Sequence, residues 1–297
     1  MKQNIPDSLQ VLLTEIVDYA GLFPPANVSM ATAVQNYANY LQHEKGFMLG
    51  RFIVPAARLK EFAGQANQYW TSGKTWRVSA LAGENVENDV TQIASFNANY
   101  EGKAVVDAFE VKVSNPTHIK TIKESLPFEI KTYFEIPLGL NFNDFIAKLA
   151  VTKSRAKIRT GGIVQEAFPP VDEVVKFLRV CMAANIPLKA TAGLHHPLRT
   201  TKPLTYEPDS VTGTMHGFLN VFLSAAYLRQ NLNSNFVHKL MSETEAKNFS
   251  FDDDGVTWNA HRLEITELQV LRAKGVMSFG SCSFVEPVED LQALGLL

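Results

Sequence analysis

The feature that most constrains this chain is a unit that recurs along it: a short apolar strand followed by an amphipathic helix. "FMLGRFIV" (47–54) precedes "ARLKEFAGQANQYW" (57–70), in which Leu59, Phe62, Ala63, Ala66 and Trp70 fall near helical spacing. "WRVSAL" (76–81) precedes a helix with Val86, Val90 and Ile93 on one face. "AVVDAFEVKV" (104–113) leads to a helix that Pro116 opens and Ile119, Ile122 and Leu126 stripe. "FEIKTYFEIP" (128–137), "AKIRT" (156–160), "PLKATA" (187–192) and "VMSFGS" (276–281) continue the series, the last after a helix that Gly275 ends. The eighth strand is expected to be short, near "IVDYAGLF" (16–23). Eight such units predict an α/β fold, a closed (β/α)8 barrel.

No linker, low-complexity tract or composition shift divides the 297 residues, so residues 1–297 are expected to form a single barrel domain. The rhythm breaks once, in a long insertion between strands seven and eight. "LRTTKPLTYEPDSVTGT" (198–214) reads as loop; helices near 215–229 and 235–247 and a hairpin at 249–258 follow. A loop of this length suits a lid or a contact in a homo-oligomer.

A net charge of −2 gives no electrostatic footprint for nucleic acid or an anionic membrane. The most apolar run, "FLNVFLSAAYL" (218–228), is too short to span a bilayer. Two cysteines make no disulfide framework. With no signal-peptide layout at the N-terminus, the expectation is a cytoplasmic protein. No dinucleotide fingerprint or phosphate-binding P-loop follows any strand, so no cofactor is expected.

Strand parity then sorts the side chains. Apolar positions must face the helices, so Arg51, Glu110, Glu135, Lys157, Arg159 and Lys189 face inward, and Asp107 faces outward. Four cations against two anions predict a pocket for a small anionic substrate, open at the strands' C-terminal ends, unless the charges form a structural ion network. "IPLKATAGLHHPLR" (186–199) adds His195, His196 and Arg199 at the rim, with Thr191 inside. Gly280 and Ser281 stand where barrel enzymes often hold phosphate.

"IKTYFEIPL", "AKIRTGG" and "LKATAGLHHPLRT" resemble the fifth to seventh strands of class I aldolases of the deoxyribose-phosphate aldolase type. The resemblance covers roughly Glu129 to Arg199. It implies lyase chemistry through a Schiff base: Lys157 as the imine lysine, Lys189 as its partner and Glu135 as the acid. His195 would exchange protons, while Arg51, Arg159, Thr191, His196, Arg199, Gly280 and Ser281 would bind substrate. The segments "YAGLFPPA" and "KATAGLHHP" also resemble a family of uncharacterised bacterial proteins.

Two other readings stand beside this one. Asp18 with His195 and His196 resembles, in part, the metal site of barrel lyases of the isopropylmalate synthase type, though adjacent histidines do not alternate as that site requires. A non-catalytic anion-binding barrel is the third. Cys282, His216 and Asn220 are weaker candidates for the site.

Overall fold

The computed structural model describes residues 5–70, 74–139, 141–230 and 232–297. Seven strands come first: β1 (Val17–Tyr19), β2 (Leu49–Pro55), β3 (Trp76–Leu81), β4 (Ala104–Lys112), β5 (Lys131–Glu135), β6 (Arg155–Arg159) and β7 (Leu188–Thr191). The insertion then contributes β8 (Thr200–Pro203), β9 (Thr212–Met215), β10 (Phe249–Phe251), β11 (Gly255–Trp258) and β12 (His261–Glu264). The eighth barrel strand, β13 (Val276–Ser281), follows. Parallel pairing in the order β1-β13-β7-β6-β5-β4-β3-β2 closes the expected barrel.

The outer helices form for ordinary reasons. Ser29 accepts the Thr32 N–H and starts the helix Met30–Leu41; Asn85 does the same for Val86–Asn99 through Asn88. Helix Val171–Ala183 buries Val174, Val175, Leu178 and Met182, the stripe expected from its period. Tyr37, Phe52, Phe62 and Trp76 pack edge-on and tilted between helix and sheet. Helix Ile265–Lys274 does stop at Gly275, but Gly275 has φ −117°, outside the left-handed region. A Cβ there would meet the Leu271 carbonyl oxygen at 2.9 Å, so close approach explains the glycine.

The insertion differs from its sequence reading. Residues 198–214 contain an antiparallel hairpin, β8–β9, and not only loop. Strands β10–β12 form a three-stranded sheet where a hairpin was expected. Helix Phe218–Arg229 is buried on every side from Phe218 to Leu228, which explains its largely apolar sequence. It packs on the barrel through Phe218, stacked 5.0 Å from Phe279. Asn220 within that run is structural: its Nδ2 donates to the Leu240 and Glu243 carbonyls, and its Oδ1 accepts the Arg199 N–H. Among the described residues no helix is long and apolar enough to cross a membrane.

Candidate active site

Two charged layers fill the barrel, one above the other. The lower layer lies toward the N-terminal ends of the strands. Arg51 belongs to it: its guanidinium grips Asp107 with bonds of 2.6 and 2.7 Å. Arg77 also reaches Asp107, at 3.0 Å, and Lys131 lies 3.8 Å away. Arg51 therefore faces inward as its parity required, but it sits below the mouth and does not line it. Asp107 faces inward against expectation. The register between β3 and β4 slips from Val78↔Val106 to Ser79↔Ala108, leaving Asp107 as the extra residue of a bulge.

The upper layer forms around Glu110. Lys189 Nζ donates to Asp18 Oδ2 at 2.5 Å and to Glu110 Oε1 at 2.7 Å. Ser79 and Ser278 hydroxyls donate to the same two oxygens of Glu110 and Asp18, both at 2.6 Å. Asp18 Oδ1 accepts the Arg51 backbone N–H. Lys157 Nζ lies 2.8 Å from Glu110 Oε2 and 3.0 Å from Glu135 Oε2. These are close ion contacts off the alignment of a good hydrogen bond, and Glu110 Oε2 accepts none. Glu135 also takes Arg159, Nε to Oε1 at 2.9 Å.

Electrostatics holds Lys189 charged. Burial works against the Lys189 ammonium, but Asp18 and Glu110 outweigh it and raise its pKa. Burial likewise opposes the Glu110 carboxylate, and Lys157 and Lys189 reverse that, holding it well below the usual range. Glu135 is lowered in the same way against its burial, by Lys157 and Arg159. The expected excess of cations is absent. Asp18 joins the floor and Arg51 leaves it, so three cations (Lys157, Lys189, Arg159) meet three carboxylates (Asp18, Glu110, Glu135).

Above this floor lies a cavity of about 310 Å³ at the C-terminal ends of the strands. Glu110, Lys157, Arg159, Thr191, His195 and Gly280 line it, with Ile53 and Leu81 as apolar wall. Its roof comes from Phe23, Pro24 and Pro25 after β1, Ile163 after β6, and Leu204 and Met215 of the β8–β9 hairpin. Beyond "YAGLFPPA" and the long insertion, whose length suits a lid, the roof had no signal in the sequence, because its parts come from loops far apart in the chain. Lys189 lies just beneath the cavity, buried and without a face on it.

Other expected residues fall elsewhere. Ser281 is buried behind the wall, and its hydroxyl accepts the Ser283 N–H. His196 pairs with Asp290 and, with Arg199, lines a separate groove. His216 Nε2 donates to the Pro169 carbonyl at 2.8 Å and lies outside the mouth. Cys282 lines the cavity, but burial raises its pKa, the reverse of an activated thiol.

One partner at the rim escaped the sequence reading. His195 Nδ1 lies 2.9 Å from Glu286 Oε2, whose pKa this contact lowers against burial. Ser283 and Glu286 open helix Val285–Ala293, where barrel enzymes often place a phosphate. A carboxylate at that point repels one.

Fold and site together define a (β/α)8 barrel with a charge-paired floor and an apolar roof at its mouth. No protein-family model matches the chain, and comparison with curated proteins finds no relative. Among the described residues no three His, Cys, Asp or Glu side chains converge as metal ligands. Asp18 has both oxygens engaged, and His195 and His196 turn to different carboxylates.

Proposed function

We propose that the protein is an enzyme of the class I aldolase type, using Lys157 as an imine-forming nucleophile on a small carbonyl substrate that carries an anionic group. The observation that carries this reading is the unequal setting of the two floor lysines. Lys189 is sealed below the cavity and held charged. Lys157 opens onto the cavity between Glu110 and Glu135.

The chemistry follows from that setting. Lys157 must first give up a proton, and Glu135 at 3.0 Å, the less buried of its two carboxylates, would take it. The neutral amine adds to the carbonyl carbon. The resulting carbinolamine loses its hydroxyl as water, leaving a protonated imine on Nζ. That cation occupies the place of the ammonium, so Glu110 and Glu135 stabilise it without rearrangement. The bond between the carbons α and β to the imine can then break: a base takes the β-hydroxyl proton, the β carbon leaves as an aldehyde, and the electron pair moves into the imine to give an enamine, which takes a proton at its α carbon before water releases the product from Nζ. Arg159 and Thr191 would hold the substrate's anionic end, and His195, oriented by Glu286, would move protons at the rim.

Borohydride trapping tests it. Incubation with a panel of small carboxylated or phosphorylated aldehydes and ketones should give a reduced adduct on Lys157, located by mass spectrometry. Lys157→Arg should give none, because a guanidinium does not form the imine. A ligand that binds at the mouth yet yields no adduct would leave the six floor charges as a structural network and the barrel as a binding protein.

A further inference from the structure

We propose that the root of the β8–β9 hairpin carries a second ligand site, separate from the mouth, in which Arg199 holds a phosphate-class oxyanion. Two depressions of about 670 and 440 Å³ meet there and share Arg199, Thr201 and Thr214. Neither depression shares a lining residue with the mouth cavity.

Arg199 is fixed in place but unanswered in charge. Its backbone N–H donates to Asn220 Oδ1 at 2.9 Å, and Asn220 is itself pinned inside the fold. Among the described residues its guanidinium reaches only His216 Nδ1, at 3.4 Å. His216 donates through Nε2 to the Pro169 carbonyl, so Nδ1 is the acceptor and this ring is neutral. Among the described residues Arg199 makes no ion pair with a carboxylate, whereas Arg51 and Arg159 each grip one. Half burial of a guanidinium without a counter-charge is unfavourable, and an anion removes that cost.

The surroundings suit an oxyanion with several acceptor atoms. Lys202 stands exposed in the same groove. Thr201 and Thr214 hydroxyls lie 3.1 Å apart, so one donates to the other and the second proton remains available. Asp290, the carboxylate in the groove, is taken by His196. A forked guanidinium, an ammonium and a hydroxyl together match a tetrahedral oxyanion better than a planar carboxylate. The position has a consequence, because Leu204 and Met215 of this hairpin roof the barrel cavity. An anion at its root would steady the roof.

Calorimetric titration with inorganic phosphate tests the site. The wild-type protein should show saturable binding, and Arg199→Gln should weaken it at least about tenfold, as expected for charged hydrogen bonds. Lys202→Ala should weaken it by a smaller factor; this side chain is exposed, so folding is not at issue. In Arg159→Gln the Arg199-dependent binding should persist, whatever that change does to binding at the mouth. In hydrogen exchange, phosphate should slow the amides of residues 200–215 in the wild type and not in Arg199→Gln. Absence of saturation at millimolar phosphate would overturn the proposal. So would affinity that survives both groove variants, or a loss confined to Arg159→Gln, which would put the anion at the mouth.

Discussion

At the scale of single residues, the two floor lysines differ in what depends on them. Among the described residues Lys189 is the only cation paired with Asp18, so Lys189→Met leaves a buried carboxylate uncompensated. That variant is expected to lose about 3–5 kcal/mol in urea unfolding. Lys157 is replaceable by comparison. Without it, Glu110 still has Lys189 and Glu135 still has Arg159. Lys157→Met should therefore cost only about 1–2 kcal/mol, the scale of a lost hydrogen bond. Equal losses from the two substitutions would mean that Lys157 is as structural as Lys189. Parity alone could not distinguish them, since it gives the face of a strand and says nothing of depth along the barrel axis. Arg51 shows the same gap: its face was legible, its height was not.

At the scale of elements, the turns after β6 and β7 are built to touch. A Cβ on Gly161 would lie 2.9 Å from the Gly193 Cα and 2.4 Å from the Phe168 ring. Gly193 also has φ +74°, which L side chains rarely adopt. Gly193→Ala should thus cost at least about 1–3 kcal/mol in thermal or chemical unfolding. It should also disturb His195, two residues on, so ligand binding at the mouth should weaken in the folded fraction. A variant as stable as wild type would show that the turn can relax. These glycines were visible in the sequence, but only as turn residues. The strands were legible because barrel strands need apolar residues on the helix-facing side, and the parity of Lys157, Arg159 and Glu135 followed from that. Two elements escaped. The bulge at Asp107 breaks alternation without any proline or glycine to mark it. The β8–β9 hairpin carries no alternating apolar stripe: Thr201, Lys202 and Pro203 are exposed, and backbone pairing defines it.

At the scale of the whole molecule, the floor ties folding to pH. Its neutrality was not legible, because Asp18 comes from a three-residue strand and its partner Lys189 lies 171 residues further along the chain. The sign of the pH effect follows from the direction of each shift. The folded-state pKa of Glu110 and of Glu135 is depressed, so their contribution is present above the unfolded value of about 4.3 and is lost as pH falls below it. The folded-state pKa of Lys189 is raised, so its contribution is present below the unfolded value of about 10.4 and is lost as pH rises beyond it. From these groups, stability should be flat between about pH 5 and 10 and should fall on both sides. Melting temperatures measured from below about pH 5 to above about pH 10 test this. The decisive comparison is a triple variant, Asp18→Asn and Glu110→Gln with Lys189→Met, in which Lys189 leaves together with both of its carboxylates. Its acid limb should be shallower than that of the wild type, because one depressed carboxylate no longer binds a proton on unfolding. Its alkaline limb should flatten as well, with the raised ammonium gone. An acid limb identical to that of the wild type would place the acid sensitivity outside the floor, in pairs such as Arg51 with Asp107.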